Sequence, residues 1–268
     1  TLMKAKIIPF IMVLITGFFI FNSCEDSTYR FYTGNSPVYM SYSDLRKAVK
    51  VEQNVELENP GKIYFKDNYI FIVEELKGIH VYDNSNPASP VKKAFVNLPG
   101  VVDISISGYI MYADSFVDLV VLDVQDVNNI HESGRLTGIL PYTVPPADND
   151  YPMAFVDEDK GVVIDWEVEK IKEKVNQNWN PYPIFWLKAN LEEMSVSSRS
   201  NSGVSGGGVG VGGSMARFGI KDNVLYVLDQ NTLKVFDITN KTNPVKHNDF
   251  YPGWGVETMY LTENTMFL

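Results

Sequence analysis

The runs NYIFIVEELKGIHVYD (residues 68–83), GYIMYADSFVDLVVLD (108–123) and NVLYVLDQNTLKVFD (223–237) decide the fold. Each reads as a short apolar strand, an acidic turn and a second alternating strand that ends in Asp: Asp83, Asp123 and Asp237. Asp83 and Asp123 stand 40 residues apart, and the third copy is one turn residue shorter. The repetition continues past the second strand. NSNPASPVK follows Asp83 and ITNKTNPVK follows Asp237, with Pro90-Val91-Lys92 and Pro244-Val245-Lys246 at matching offsets.

A period near 40 residues, made of short strands between Asn-, Pro- and Gly-rich turns, is the signature of a β-propeller blade. A further strand before each copy (63–65, 102–106, 216–220 and 256–261) is expected to be the inner one, and 91–96 the outermost of the first blade. The fold class is therefore all-β: a propeller-like array of four-stranded blades. A single blade cannot cover its own faces, so neighbours must stack on both.

The segments GIHVYD (78–83), DLVVLD (118–123) and TLKVFD (232–237) resemble the Leu-Val-Ile-Val-Asp core of LVIVD-repeat proteins, and the strings around ADSFVDLVVLD, GGSMARF and GWGVET are similar to those of lipoproteins in that family. The resemblance covers roughly residues 37–268. It implies a propeller carrying a lipid anchor, and it implies neither an established catalytic activity nor transferable functional residues.

At the N-terminal end, Lys4 and Lys6 precede the apolar run Ile7–Phe21, which is followed by Asn22, Ser23 and Cys24. Fifteen apolar residues rise about 22 Å as a helix, short of the roughly 30 Å bilayer core, so residues 1–23 read as a secretory signal peptide. Ser23-Cys24 resembles a bacterial lipobox, with Phe21 and Asn22 departing from its commonest spelling. The alternatives are a cysteine cut away with the signal and a retained helix with an incidental thiol. Cys24 is the single cysteine of the chain, so its acylation leaves no thiol for a disulfide or a metal. Residues 24–36 then form a lipid-anchored linker and 37–268 the propeller. The address is the cell envelope, at the outer membrane, on its surface or periplasmic face.

Composition agrees. The 268 residues carry 33 Asp+Glu against 23 Lys+Arg, a net charge of −10, which argues against a nucleic-acid partner. At 45% hydrophobic the chain can bury a sizeable core.

Between the second and third copies the pattern is irregular. Residues 137–214 are expected to be an insert, with PMAFVDEDKGVVIDW (152–166) as a degenerate blade, EVEKIKEKV after it as a long strand or a short helix, and SVSSRSNSGVSGGGVGVGGS (195–214) as a low-complexity excursion. Ser43 is expected to cap a short helix over 44–49. PVYMSY (37–42) has strand character suited to pairing across a ring closure. At the C-terminal end, 256–261 and TMFL begin a blade whose hairpin partner is not in the sequence. The 244 residues after Cys24, less the insert, fall short of five or more blades, so the array is expected to be incomplete at Leu268.

Chemistry is sparse. Gly208-Val209-Gly210-Val211-Gly212-Gly213 spells G-x-G-x-x-G, yet a serine-rich linker precedes it and a strand-like segment follows, the reverse of a dinucleotide site. His80, His131 and His247 fall at unrelated repeat positions without metal-ligand spacing. Glu74, Asp114 and Asp229 occupy the same place in the three aligned copies. They are weak metal candidates as a carboxylate ring, against the preferred reading that each accepts backbone N–H groups of its own turn. Asp83, Asp123 and Asp237 read as Asx turn residues. Trp254 and Tyr251 sit in a loop that suits recognition or packing. No catalytic residue and no cofactor is assigned. The expected function is a non-catalytic scaffold that binds a protein or glycan, with the membrane engaged through the N-terminal lipid. The alternative is a propeller hydrolase or lyase with a carboxylate or metal site in the channel, for which Asp103 and Glu257 are the candidates.

Overall fold

The structure, a computed structural model, describes residues 29–174 and 217–268 apart from Gln230, Trp254, Gly255 and Glu257. Cys24, the Gly-rich segment and Glu257 therefore lie outside the described residues, as does Trp254.

The first blade is β3 (Pro60–Lys66), β4 (Tyr69–Glu74), β5 (Gly78–Asp83) and β6 (Val91–Asn97), with β2 (Lys50–Glu52) added beside β6. The second is β7 (Ile104–Ser107), β8 (Ile110–Ser115), β9 (Asp118–Asp123) and β10 (His131–Leu136). The third is β12 (Phe218–Lys221), β13 (Val224–Asp229), β14 (Thr232–Asp237) and β15 (Val245–Phe250). All are antiparallel meanders in chain order. A hairpin of β16 (Tyr260–Leu261) and β17 (Met266–Phe267) packs next, with Met259 and Met266 against Leu228 and Leu233 of the third blade.

Alternation along β8 and β9 explains why the second blade reads as almost continuously apolar. Met111, Ala113, Val120 and Leu122 pack on Phe71, Val73, Ile79 and Val81 of the first blade. Ile110, Tyr112, Leu119 and Val121 pack on Phe218, Leu225, Val227 and Phe236 of the third. Both faces are buried, so both must be apolar, and each fully buried side chain of this kind contributes about 1.5–3 kcal/mol.

The second and third blades touch although 81 residues separate β10 from β12. Tyr112 Oη donates to Lys241 O at 2.9 Å, and a Cβ on Gly134 would collide with the Thr242 carbonyl oxygen. Gly134→Ala is therefore expected to destabilise the protein by about 1–3 kcal/mol. A denaturant melt in which the alanine variant matches wild type would show that this interface yields.

The insert between those blades departs from the expected degenerate blade. Its strand β11 (Val162–Lys174) runs 13 residues and pairs antiparallel with β1 (Tyr29–Met40). The charged alternation of residues 167–174 of EVEKIKEKV thus belongs to a ribbon strand with largely exposed faces. Residues 29–36, expected as linker, are part of β1, and residues 37–40 of PVYMSY, expected to pair across a ring closure, pair here with 162–166 of β11. A one-turn helix α1 (Tyr42–Leu45) follows β1 with Ser41 as its cap, whose Oγ accepts from Asp44 N at 3.1 Å. The chain leaves extended geometry at Ser41, which places Ser43 inside the turn.

This module seats on one end of the blades. Leu76, at the β4–β5 turn, and Phe116 and Val117, between β8 and β9, pack with Met40, Tyr42, Leu45, Tyr142, Val162 and Ile164. Leu76 and Phe116 hold left-handed backbone, with φ of 63° and 52°, a conformation that bulky residues adopt at a cost and that packing must repay.

Candidate functional site

At the end covered by the module, charged side chains converge where the three inner strands begin. Lys62, Asp103 and Arg217 hold the same register position in successive blades, three residues before Phe65, Ile106 and Ile220, whose partners on the second strands are Ile70, Met111 and Leu225. Positive, negative and positive charge thus alternate around the inner edge.

Asp103 is fully buried and is the hub. Its Oδ2 accepts from Lys62 Nζ at 2.6 Å and from the backbone N–H groups of Arg217 and Phe218 at 2.6 and 3.0 Å. Its Oδ1 accepts from the Tyr64 hydroxyl and from Ile104 N, the latter at 2.8 Å. One carboxylate therefore joins three blades through five donors. Burial pulls the Lys62 ammonium below its ordinary range against the attraction of Asp103. Burial, reinforced by the Asp103 charge, pushes the Tyr64 hydroxyl up, so that it stays a donor.

Asp114 Oδ1 accepts from Val102 N at 2.7 Å and Asp103 N at 3.0 Å, fixing the segment that presents the hub. Its Oδ2 lies 3.4 Å from Arg217 Nη1, and Arg217 Nη2 lies 3.8 Å from Asp229 Oδ1. Lys234 Nζ stands 3.8 Å from Asp229 Oδ2. Burial raises both carboxylates, Asp229 to about 6, with Arg217 opposing.

The three carboxylates aligned by sequence do not form one ring. Glu74 pairs with Gly78 and Asp229 with Thr232 at the last rung of their hairpins, but Ser115 takes that place in the second blade, opposite Asp118. The β4–β5 turn has one more residue than the other two. Asp114 therefore sits one residue earlier and faces the third blade, where Arg217 links it to Asp229. Glu74 instead accepts from His80 Nε2 at 2.7 Å and Lys77 Nζ at 3.0 Å. Burial works to raise Glu74, and these hydrogen bonds outweigh it and leave the group below its ordinary value. Burial keeps His80 neutral, with Phe95 packed on its ring at 4.6 Å. Among the described residues the turn reading is not met at Asp114, which accepts backbone N–H groups of the preceding connection and not of its own turn.

Asp83, Asp123 and Asp237 do act as Asx residues. Their Oδ1 atoms accept from Ser85 N, Gln125 N and Thr239 N at 2.9, 2.9 and 2.7 Å. Among the described residues no group of three or more His, Cys, Asp or Glu is placed to hold a metal.

A further buried carboxylate, Asp118, secures the module. It receives Arg46 Nε at 3.0 Å, Arg135 Nη1 at 3.1 Å and Gly138 N at 2.8 Å. Arg46, Lys62, Tyr64, Arg135 and Arg217 were not legible as site residues from the three aligned hairpins. A signal existed one strand upstream, where KIYFKDN (62–68) and RFGIKDN (217–223) match with a charge at the same offset.

Stacked four-stranded meanders with a common register define an all-β, propeller-like repeat protein. The LVIVD repeat family matches residues 61–97 and 212–249, the spans of the first and third blades. The chain carries LVIVD repeats. No curated protein matches it.

Proposed function

We propose that the protein is a cell-envelope lipoprotein, acylated at Cys24, whose repeat scaffold binds a protein or glycan without chemistry of its own. The difference between its two ends carries this reading. One end is covered by the β1–β11 module on the turn tips Leu76, Phe116 and Val117. The opposite end presents the loops after Asp83, Asp123 and Asp237, three equivalent tracts in which Ser85, Asn86, Gln125, Asp126, Thr239 and Asn240 are exposed while apolar residues such as Val127 and Ile238 anchor the loops in the core. Repeated polar loops on a rigid scaffold supply directional hydrogen bonds to a polar ligand. Asp103, which a hydrolytic reading would use, has both oxygens occupied by structural donors, which further supports a scaffold.

Two measurements test this. In a Gram-negative host the wild-type chain is expected to incorporate labelled fatty acid and partition into detergent, and Cys24→Ala to do neither. Equal labelling removes the anchor. On an array of envelope glycans and proteins, the triple variant Ser85→Arg, Gln125→Arg, Thr239→Arg is expected to lose the ligand that wild type retains. Undiminished retention places the binding face elsewhere.

A further inference from the structure

We infer that the tip of the β1–β11 ribbon docks on an anionic lipid headgroup surface and fixes the orientation of the tethered scaffold, an inference that rests on the Cys24 anchor proposed above. The register puts Tyr29 opposite Lys174, Phe31 opposite Lys172 and Thr33 opposite Lys170, so these six residues share one face. That face carries three lysines and two aromatic rings and no carboxylate. Its acidic counterparts, Glu169 and Glu173, lie on the other side with Arg30, which donates from Nε to Glu173 at 2.7 Å.

All six residues are exposed, Phe31 at 73% and Tyr29 at 47%. Lys172 Nζ stands 4.6 Å from the Tyr29 ring centre and 5.7 Å from that of Phe31. An amphipathic Tyr ring and an apolar Phe ring beside lysines suit a membrane interface. In a chain of net charge −10 this basic face is out of keeping with the whole, and its complement is a negatively charged plane.

The tether decides between lipid and other polyanions. Tyr29 follows Cys24 by five residues, which extended reach at most about 18 Å, so an acylated Cys24 holds the ribbon tip at headgroup distance. Each lysine near an anionic surface favours docking by roughly fivefold, so three together favour it by about 100-fold.

The test uses the acylated full chain in vesicles of phosphatidylcholine alone or with one-third phosphatidylglycerol, with Phe31→Trp as reporter and shallow brominated lipid as quencher. Val91→Trp, at the exposed start of β6 in the first blade, is the control, and the native tryptophan signal of the unsubstituted chain is subtracted. Strong quenching of residue 31 in the anionic vesicles is expected, with little at residue 91. Adding Lys170→Glu, Lys172→Glu and Lys174→Glu is expected to lower the docked-to-undocked ratio by about 100-fold or more. Equal quenching at residues 31 and 91, or quenching indifferent to the triple reversal, overturns the docking while co-flotation shows the anchor intact. Chain that fails to float with vesicles overturns the anchor instead, and the docking with it. A residue-31 signal that answers to a soluble polyanionic glycan and not to anionic vesicles overturns the lipid assignment.

Discussion

Asp103→Ala is expected to lower global stability by about 3–5 kcal/mol, the range for stripping one partner from a buried ion pair. Lys62, 5% exposed, would be left as an unpaired buried ammonium, and the N–H groups of Ile104, Arg217 and Phe218 would lose their acceptor. The penalty falls on contacts among three blades, so the melt should also broaden as the blades uncouple. A double-mutant cycle separates the parts. Lys62→Met with Asp103→Ala is expected to cost less than the sum of the two single changes, because no buried cation is stranded. Strict additivity, or a loss below about 1 kcal/mol for the single alanine variant, would mean that water or rearrangement serves the hub's partners.

Asp229→Asn is expected to stabilise the protein at neutral pH by roughly 2–4 kcal/mol. Burial raises the folded-state value to about 6 from an ordinary 3.8, against the opposing charges of Arg217 and Lys234, each 3.8 Å away. The fold thus prefers the protonated acid. Its contribution is fully present below about pH 4 and is lost as pH rises through about 6, beyond which the ionised group is a burden. Asparagine, neutral throughout, removes that burden, so its advantage should fade toward zero between about pH 6 and pH 4. Burial also raises Asp114, on the other side of Arg217, which adds to the same trend. Urea melts across this range check the sign. An advantage independent of pH, or a loss at neutral pH, would show that the two ion pairs outweigh desolvation.

The blades were readable because two signals coincide within each: period-two apolarity and a closing Asp that accepts from the backbone two residues on. The register was not. Glu74, Asp114 and Asp229 align in sequence, but the β4–β5 turn holds one more residue than the β8–β9 turn, so an ungapped overlay matches Glu74 to Asp114 although its counterpart on the last rung is Ser115, and Asp114 stands on the opposite face. Side-chain direction in a strand has a period of two, so a single-residue offset inverts every assignment downstream of it. The β1–β11 pairing was hidden for another reason. Its faces are largely exposed, so Glu167, Lys170 and Lys172 carry no apolar pattern that separates strand from helix. The inner strands were expected at 63–65, 102–106 and 216–220, and Asp103 with them, but the charge alternation through Lys62, Asp103 and Arg217 shows only when the starts of those strands are laid over one another.

The pairing of β1 with β11 also orders events in time. The first strand of the described chain waits for a partner that begins at Val162, after two whole blades. Both blades must close their own local meanders before this long loop can be drawn shut, and such distant pairings form late and slowly. Until then the N-terminal strand has unpaired edges, open to the wrong partner. The alternating charges lie on its partner β11, where Glu167, Glu169, Lys170, Lys172, Glu173 and Lys174 discourage wrong pairing along that strand's own edges, and so the same residues that blur the ribbon in the sequence guard it during assembly.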